Sequence, residues 1–404
     1  MSAAETALQH QSVFTRKDVF SLNWIPNNIL YREEQISNLT RILEDIFRGI
    51  NPHNCLLTGD FGTGKTLVAQ SVAEQLEKQA LESKVKLETV YINCNDCDTH
   101  TQILRGMLNQ VDSLKGRSGF PTDQYQIWIQ EYAASKDRVF LLLDEIDRTI
   151  YNKEGRAERL LYFLTRTIPN LSIIMLTNKV GLDTWLNRNL ESRVRDTLRH
   201  QVIQFPDYAK GELINILKDR CEIGLAKSAY NMETVVRIAD LSYRNGLRAR
   251  GLIDLTRTAG ELADQSDADF LEDRFIDMAV ETIVNRQNTA ILENLDPPSR
   301  LILYLVAQSG SESIDADQVY RRYLTECSTR LGIGGSRGMF CTYVKRLEDL
   351  DLLLQTINGR GRGRGVVQEL QLHPHTSEDV RAFHSSLLGQ DTPHPSIKNV
   401  TGKP

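Results

Sequence analysis

Apolar runs and amphipathic segments alternate through the first half of the chain. Residues 54–58, 138–143 and 171–177 are short, mostly apolar stretches, which are typical of central strands buried on both faces of a parallel sheet. From Leu67 onward, apolar residues recur at helical spacing. The alternation over residues 53–206 predicts an α/β fold with a parallel sheet, and ligands of such folds bind at the carboxyl ends of the strands.

The second half of the chain has a different periodicity. Segments 212–217, 234–239 and 275–284 repeat apolar residues at helical spacing and predict a helical region. Two consecutive prolines, Pro297 and Pro298, then mark a boundary, because proline interrupts both helices and strands. Five elements are predicted beyond it, in the order that a winged helix has: helices over 299–308, 316–331 and 336–350, then hairpin strands over 352–357 and 366–372.

Composition and charge exclude several classes of protein. Apolar residues make up 41% and charged residues 25% of the 404 positions, which is usual for globular proteins. No apolar run approaches the roughly 18 residues that a membrane-spanning helix needs, and the first residues lack the basic and apolar parts of a secretory signal. We therefore expect a cytoplasmic protein without a membrane partner. The net charge of −5 argues against a nucleic-acid partner unless positive charge is concentrated locally.

Six cysteines are spread along the chain, which does not suggest a disulfide framework in a reducing compartment. Cys94 and Cys97 have the spacing of half a metal site, but the sequence has no second pair at zinc spacing. We favour packing thiols for both residues and leave metal binding open.

The strongest motif is a glycine-rich loop between the first strand and a long helix. Residues 59–66 read Gly-Asp-Phe-Gly-Thr-Gly-Lys-Thr and match G-x-x-x-x-G-K-[ST] in the strand, loop and helix context that the motif requires. The glycines let successive backbone N–H groups point at phosphate oxygens. Lys65 is expected to reach the β and γ phosphates, and the Thr66 hydroxyl to ligate Mg²⁺. The expected contacts to ATP or ADP are Asp60, Phe61, Gly62, Thr63, Gly64, Lys65, Thr66 and Leu67.

A P-loop needs a carboxylate for its magnesium ion, and the strand over 138–143 supplies one. Asp144 and Glu145 follow this strand directly, so we expect Asp144 to bind Mg²⁺ and Glu145 to orient or polarise the attacking water. Asn178 follows the strand over 171–177 at the matching place. Its amide is a candidate to hydrogen-bond the γ phosphate or the attacking water.

Positive charge is concentrated near the C-terminal hairpin. Residues 336–364 hold six cationic against three acidic side chains, a local charge of +3. The hairpin tip reads Asn-Gly-Arg-Gly-Arg-Gly-Arg-Gly, a strong turn signal with arginines that can follow a phosphate backbone or enter a minor groove. On the winged-helix interpretation, Phe340 and Tyr343 of the recognition helix are expected to pack inside. The expected DNA contacts are Ser336, Arg337, Thr342, Lys345, Arg360, Arg362 and Arg364.

Taken in order, these segments resemble AAA+ ATPases of the origin-recognition and cell-division-cycle type, specifically the archaeal replication initiators. The resemblance covers about residues 20–372. Its carrying segments are Ile29-Leu-Tyr-Arg-Glu-Glu-Gln35, the P-loop, Tyr91-Ile-Asn-Cys94, Leu143-Asp-Glu-Ile-Asp147, Leu176-Thr-Asn178, Ser192-Arg-Val194 and Phe205-Pro-Asp-Tyr208. The expected organisation is a flexible arm over 1–20, an AAA+ nucleotide-binding domain over 21–206, a helical lid over 207–290, a winged-helix DNA-binding domain over 296–372 and a disordered tail over 373–404.

The resemblance also implies roles for single residues. Ile29 and Leu30 would line the adenine pocket, with Tyr208 approaching the same ring, and Asn178 would be the first sensor. Arg193 stands where AAA+ proteins offer an arginine finger to a neighbouring subunit's nucleotide. Arg195 is close enough in sequence to compete for that role.

Two parts depart from the family pattern. The family's second sensor is an arginine in a Gly-Asp-Ala-Arg sequence that opens a lid helix, whereas this chain reads Leu-Arg-Ala-Arg over 247–250. Arg250 aligns with the sensor, and Arg248 is the alternative. Residues 99–110 correspond to an extra helix that touches DNA in the family, but they contain only one cation, Arg105.

The resemblance implies an initiator that binds origin duplex DNA and helps recruit the replicative minichromosome-maintenance helicase, with slow ATP hydrolysis as a switch. It would act in the cytoplasm on the nucleoid, with other copies or paralogues on the same DNA. Two alternatives stay open. One is a diverged paralogue that regulates DNA with little or no ATP turnover, and the other is a remodelling ATPase of the clamp-loader or transposition type.

Overall fold

The computed structural model describes residues 12–21, 24–50, 53–97, 99–150, 156–179, 181–309, 313–350, 352–359 and 366–373. The chain divides into two compact units, residues 1–279 and 280–404. Arg360, Arg362 and Arg364 lie outside the described residues, as do residues 1–11 of the expected arm and the expected tail from residue 374 onward. Within the described ranges, no helix combines the length and the apolar character needed to cross a membrane.

A five-stranded parallel sheet forms the centre of the first unit. Its strands are β1 Asn54–Gly59, β2 Leu87–Asn93, β3 Arg138–Asp144, β4 Leu171–Thr177 and β5 His200–Phe205, in the order β2-β3-β4-β1-β5. Alternate residues of β3 face opposite sides, with Phe140 and Leu142 in one apolar cluster and Leu141 and Leu143 in the other. Burial on both faces explains the continuous apolar runs, and the predicted α/β fold is confirmed.

Helices cover both faces of this sheet. They are α1 Glu33–Leu43, α2 Lys65–Glu82, α3 His100–Val111, α4 Thr122–Ala134, α5 Asp147–Ile150, α6 Arg156–Thr167, α7 Leu182–Asn189 and α8 Ser192–Leu198. Short 3-10 helices span Lys17–Phe20, Glu44–Arg48 and Cys94–Asp96. Helices α1 and α2 pack on one face, and α3, α4 and α6 to α8 pack on the other.

The helical region that follows begins with α9 Lys210–Gly224, α10 Met232–Arg244 and α11 Arg248–Gln265. Helix α12, Asp273–Glu293, runs from the first unit into the second. Asn231 caps α10, because its Oδ1 accepts a hydrogen bond of 2.9 Å from the Thr234 N–H. The segments with helical periodicity at 212–217, 234–239 and 275–284 therefore lie in helices.

Residues 12–20, which we expected to belong to a flexible arm, are packed on the helical region instead. Val13, Val19 and Phe20 are buried, and the Val13 N–H donates a 2.9 Å hydrogen bond to Asp264 Oδ1. A Cβ atom at Gly260 would lie 2.3 Å from the Phe14 ring. The ring therefore packs in a space that exists because residue 260 has no side chain. Apolar burial fixes the segment although it has no helical or strand periodicity.

After α12, the described part of the second unit contains three helices and a small sheet. They are α13 Pro297–Gln308, α14 Ala316–Leu331 and α15 Arg337–Asp349, with β6 Ile314–Asp315, β7 Leu353–Gly359 and β8 Val366–Leu372 in the antiparallel order β6-β8-β7. Asp296 caps α13 by accepting from the Ser299 N–H at 2.9 Å, and prolines occupy the first turn, where no N–H is needed. The apolar pattern predicted these helices and the hairpin, while the two-residue strand β6 was not predicted.

Candidate nucleotide-binding site

A cavity of about 360 Å³ opens at the carboxyl edge of the sheet, within the size range of small-molecule sites. Parallel strands bring their ends together here, since Asn93 is in register with Asp144, and Gly59 with Phe205. The predicted residues that line the cavity are Ile29, Leu30, Phe61, Gly62, Gly64, Lys65, Thr66, Leu67, Asp144, Glu145, Asn178, Tyr208 and Arg250. Asp60, Thr63 and Arg193 are not in its wall.

The loop between β1 and α2 depends on its glycines. A Cβ atom at Gly59 would lie 2.4 Å from the Phe205 carbonyl oxygen, so only glycine permits the close approach of β1 to the end of β5. Gly64 has a φ of +92° and would bring a Cβ atom within 3.0 Å of the Tyr208 hydroxyl. The Thr63 hydroxyl donates to the Asp60 carbonyl at 2.8 Å, which closes the loop on itself.

Lys65 is folded into this loop. Its Nζ donates to the carbonyl oxygens of Gly59 at 2.9 Å and Asp60 at 2.7 Å, and the side chain is buried. Burial lowers the pKa of Lys65 to about 8, because desolvation disfavours the ammonium form. An anion bound beside Lys65 would restore the charged form, so the residue is suited to a phosphate ligand.

Asp144 is held by three donors at the mouth of the loop. The Thr66 hydroxyl donates to its Oδ2 at 2.7 Å and the Tyr91 hydroxyl to the same oxygen at 3.0 Å, while the Glu145 N–H donates to Oδ1 at 2.9 Å. The cavity wall thus offers a hydroxyl and a carboxylate side by side. These hard oxygen donors are the ligands that Mg²⁺ prefers, and the pair fits the magnesium site that a P-loop requires.

Glu145 lies beside this pair in a strained backbone conformation. Its φ is +53°, in the left-handed region that side chains other than glycine rarely adopt. Burial raises the pKa of Glu145, the Asp144 carboxylate raises it further, and the Arg250 cation acts in the opposite direction. A carboxyl group with a raised pKa is suited to accept a proton from water.

The segment after β3 is fixed to the end of β4. The Thr177 hydroxyl donates a 2.8 Å hydrogen bond to Asp147 Oδ1, and both side chains are buried. The Ile146 N–H donates to the Leu176 carbonyl at 3.1 Å. These contacts set the position of Glu145 relative to Asn178, the two predicted side chains that line the cavity from neighbouring strands.

Arg32 is a central residue that the sequence analysis did not single out. Its guanidinium donates to the carbonyl oxygens of Thr63 at 2.8 Å, Tyr31 at 2.6 Å and Pro206 at 2.7 Å. It also lies 3.7 Å from the centre of the Tyr208 ring. The side chain is only 2% exposed, so Arg32 joins the P-loop, the segment before α1 and the end of β5 in one buried contact.

The two lid arginines occupy different places. Arg248 has a φ of +52° and is ion-paired with Asp60 and, at 3.4 Å, with Asp207 Oδ1. The Cβ atoms of both arginines lie close to where a Gly62 side chain would be, but only Arg250 lines the cavity. Of the two candidates for the second sensor, Arg250 is therefore the one that faces the cavity.

The arginine-finger candidates lie away from the cavity on α8. Arg193 is exposed, is ion-paired with Glu191 and lies 5.3 Å from the centre of the Tyr162 ring. Arg195 donates to the Asn187 carbonyl. Neither residue reaches the cavity of its own chain.

The sequence analysis also did not predict two other residues of the cavity wall. Trp24 and Arg220 both line the cavity, and the Arg220 guanidinium lies 4.3 Å from the centre of the Trp24 ring. Arg220 donates to the Val19 carbonyl, and burial lowers its pKa to about 10. No sequence signal identified this pair, because it joins two segments nearly 200 positions apart.

The predicted DNA contacts that fall in the described part of the second unit lie on the exposed side of α15. Ser336 caps the helix by accepting from the Met339 N–H at 3.3 Å, and the Thr342 hydroxyl donates to the Gly338 carbonyl at 2.9 Å. Arg337 is ion-paired with Asp317 and lies 5.0 Å from the centre of the Tyr320 ring. Lys345 is also exposed, Phe340 is buried, and Tyr343 is partly buried.

Cys94 and Cys97 have the surroundings of packing thiols. Cys94 is buried, and burial raises its pKa to about 12. No group of three or more potential metal ligands was found in the described ranges. The thiol of Cys94 is therefore protonated near neutral pH.

Comparisons with known proteins agree with this architecture. The family model of an AAA domain matches residues 51–186, and that of the Cdc6 AAA+ ATPase-type lid domain matches residues 214–281. The ORC1-type DNA replication protein of Pyrococcus abyssi is 30% identical over 397 residues, which cover 95% of this chain and 93% of the relative. The protein of the same name from Thermococcus kodakarensis is 28% identical over 393 residues, which cover 94% and 93%.

Solved structures show the same fold. The Aeropyrum pernix ORC1 protein in complex with DNA matches with a TM-score of 0.76 at 24% identity, over 94% of this chain and 99% of that one. The Aeropyrum pernix ORC2 protein, solved in ADPNP-ADP complexes, matches with a TM-score of 0.64 at 21% identity, over 94% and 100%. With a relative 30% identical along nearly its whole length and with both matched domains, the chain belongs to the ORC1/Cdc6-type family of AAA+ DNA replication initiators.

Proposed function

We propose that this protein binds ATP with Mg²⁺, binds origin duplex DNA in that state, and helps recruit the replicative minichromosome-maintenance helicase. The observation that carries the proposal is that Lys65, Thr66, Asp144, Glu145 and Asn178 line the same cavity. Hydrolysis would be slow and would reset the initiator. The protein would act on the nucleoid in the cytoplasm, together with other copies or paralogues.

Each residue in the cavity has a proposed role in the nucleotide cycle. Lys65 would bind the β and γ phosphates, and Thr66 and Asp144 would hold Mg²⁺, which neutralises phosphate charge when bound. Glu145 would take the proton of the attacking water, and Asn178 would orient that water. Ile29, Leu30 and Tyr208 would contact the adenine base. Residues 60–67 of the loop would also contact the nucleotide.

Arginines would complete the site from two directions. Arg250 would act from the lid as the second sensor, which its position in the cavity wall supports. The exposed position of Arg193 supports a role as the finger toward a neighbouring copy, with Arg195 as the alternative. Such a site would depend on assembly, because the finger does not reach the nucleotide of its own chain.

Duplex DNA would be bound by the second unit acting as a winged helix. Three helices followed by a hairpin support this interpretation, as does the exposure of Ser336, Arg337, Thr342 and Lys345. Arg360, Arg362 and Arg364 at the hairpin tip would supply further phosphate contacts. The related Aeropyrum pernix ORC1 protein was solved in complex with DNA, which is consistent with this proposal.

Salt titrations of DNA binding test the proposal on the full chain. Replacing Arg360, Arg362 and Arg364 together with alanine should make the slope of log affinity against log salt less steep. The change should correspond to the loss of up to about three phosphate contacts. A matched triple replacement at exposed cations of the first unit, Arg41, Arg48 and Lys78, should leave the slope unchanged. If the tip variant keeps the slope of the unaltered protein, the hairpin does not bind DNA.

Single-turnover assays decide between the switch and a paralogue without turnover. Glu145→Gln should abolish ATP hydrolysis while leaving nucleotide binding intact, because the amide keeps the size of the side chain and loses the base. Two results together would favour the diverged paralogue with little or no ATP turnover. The unaltered protein would show no hydrolysis, and Glu145→Gln would leave DNA binding unchanged.

A further inference from the structure

Tyr91 approaches the proposed magnesium site from the edge of the sheet. Its hydroxyl donates to Asp144 Oδ2 at 3.0 Å, the same oxygen that the Thr66 hydroxyl contacts at 2.7 Å. Tyr91 also lines the cavity, whereas its ring packs against the apolar cluster on the α1 and α2 face of the sheet. The ring is thus held by packing while the hydroxyl reaches the carboxylate.

The backbone of Tyr91 is fixed on both sides. Strand β2 is at the edge of the sheet, and on its inner side Tyr91 is in register with Leu142 of β3. On the outer side the Gln110 side chain of α3 replaces a neighbouring strand. The Gln110 Oε1 accepts from the Tyr91 N–H at 3.1 Å, and the Gln110 Nε2 donates to the Tyr91 carbonyl. The backbone of this edge position is therefore hydrogen-bonded on both sides, and its outer N–H and C=O groups are not left unpaired.

The Tyr91 hydroxyl is a hydrogen-bond donor at neutral pH. An ordinary phenol has a pKa of about 10, so the Tyr91 hydroxyl keeps its proton at neutral pH and can donate to Asp144. The only other side chain that donates to Asp144 among the described residues is Thr66, whose hydroxyl is itself a proposed ligand of Mg²⁺. Tyr91 can therefore hold the carboxylate without occupying a position that the ion needs.

We propose that Tyr91 is a positioning residue of the magnesium site, whose hydroxyl orients the Asp144 carboxylate for the ion. The inference rests on the proposed nucleotide function and names a residue beyond those assigned to it above. Groups that orient metal ligands in this way commonly contribute a factor of 10 to 100 in metal affinity. The Tyr91 hydroxyl should therefore matter for the metal and not for the nucleotide alone.

Calorimetric titration of ATP at a series of Mg²⁺ concentrations, with chelator as the zero point, tests the inference. Tyr91→Phe keeps the ring and removes only the hydroxyl. ATP affinity in chelator should stay within about twofold, while the Mg²⁺ concentration that gives half of the metal-dependent gain should rise about tenfold or more. The exposed lid residue Tyr243 provides the control, since Tyr243→Phe should change neither value.

Direct binding of Mn²⁺, followed by electron paramagnetic resonance of the free ion in the presence of ATP, provides a second measure. A midpoint shift below about threefold, or an equal loss of ATP affinity in chelator, would overturn the positioning role and leave Tyr91 as a packing residue. If the unaltered protein bound no ATP at all, the proposed function would fail and this inference with it. Binding by the unaltered protein with no metal effect in Tyr91→Phe would refute the inference alone.

Discussion

Replacing Arg32 with methionine should destabilise the first unit more than any exposed arginine replacement. The guanidinium makes three hydrogen bonds of 2.6 to 2.8 Å to backbone carbonyl oxygens and covers one face of the Tyr208 ring. Methionine fills similar space but leaves those three carbonyl oxygens without their donor. The contacts come from three separate segments, so the loss is not confined to one loop.

The expected loss in the free energy of unfolding depends on two opposing contributions, the hydrogen bonds of Arg32 and the cost of burying its charge. Hydrogen bonds to a charged group contribute about 1.5 to 3 kcal/mol each, and burying the guanidinium costs several kcal/mol, which its lowered pKa reflects. Because the variant also leaves buried acceptors unpaired, we expect the free energy of unfolding to fall by about 3 to 5 kcal/mol. Arg32→Lys should recover only part of this, since one ammonium cannot reach three carbonyls as a planar fork does.

Urea unfolding followed by tryptophan fluorescence measures this loss selectively. The three tryptophans, Trp24, Trp128 and Trp185, all belong to residues 1–279, so the signal reports the first unit. Arg48→Met is the control, because Arg48 is exposed and its ion pair with Asp45 should contribute less than about 0.5 kcal/mol. A loss below 1 kcal/mol for Arg32→Met, or one equal to the control, would refute the reasoning.

Two further predictions concern the loop lysine and the N-terminal segment. Nucleotide affinity should fall by up to tenfold per pH unit above about pH 8, because the pKa of Lys65 in the nucleotide-free protein is about 8 and phosphate binding requires the ammonium form. Calorimetric titrations measure this profile, and Lys65→Arg should flatten it. A flat profile in the unaltered protein would contradict the prediction. Gly260→Ala should lower the free energy of unfolding by about 1 to 3 kcal/mol and expose residues 12–20 to hydrogen exchange, because the new methyl group would displace Phe14, whereas Gly211→Ala, in an open position, should not.

The sequence predicts the parts of the site whose chemistry fixes local spacing. Lys65 and Thr66 follow Gly64 because a phosphate-binding loop must run directly into its helix, and that order is visible in eight consecutive residues. Asp144 could be placed because the buried strand before it is a continuous apolar run. In both cases one short stretch of chain contains the complete signal.

Residues that act through distant partners could not be found in this way. Arg32 contacts the carbonyls of Thr63 and Pro206, which lie 31 and 174 positions away in the chain. Backbone carbonyls carry no residue-type signal, so an arginine that binds them resembles any surface arginine in the sequence. The segment over 12–20 posed the same difficulty, because the space for Phe14 beside Gly260 exists only after the helices have packed.

The two lid arginines, which sequence position alone does not separate, have different surroundings in the structure. Arg248 and Arg250 are two residues apart, and the Cβ atoms of both lie close to where a Gly62 side chain would be. Helix α11 begins at Arg248, whose pairing with Asp60 holds it against the rim of the P-loop. Of these two arginines, only Arg250 lines the cavity. The two arginines therefore make different contacts, since Arg248 is ion-paired with Asp60 of the loop and Arg250 lines the cavity.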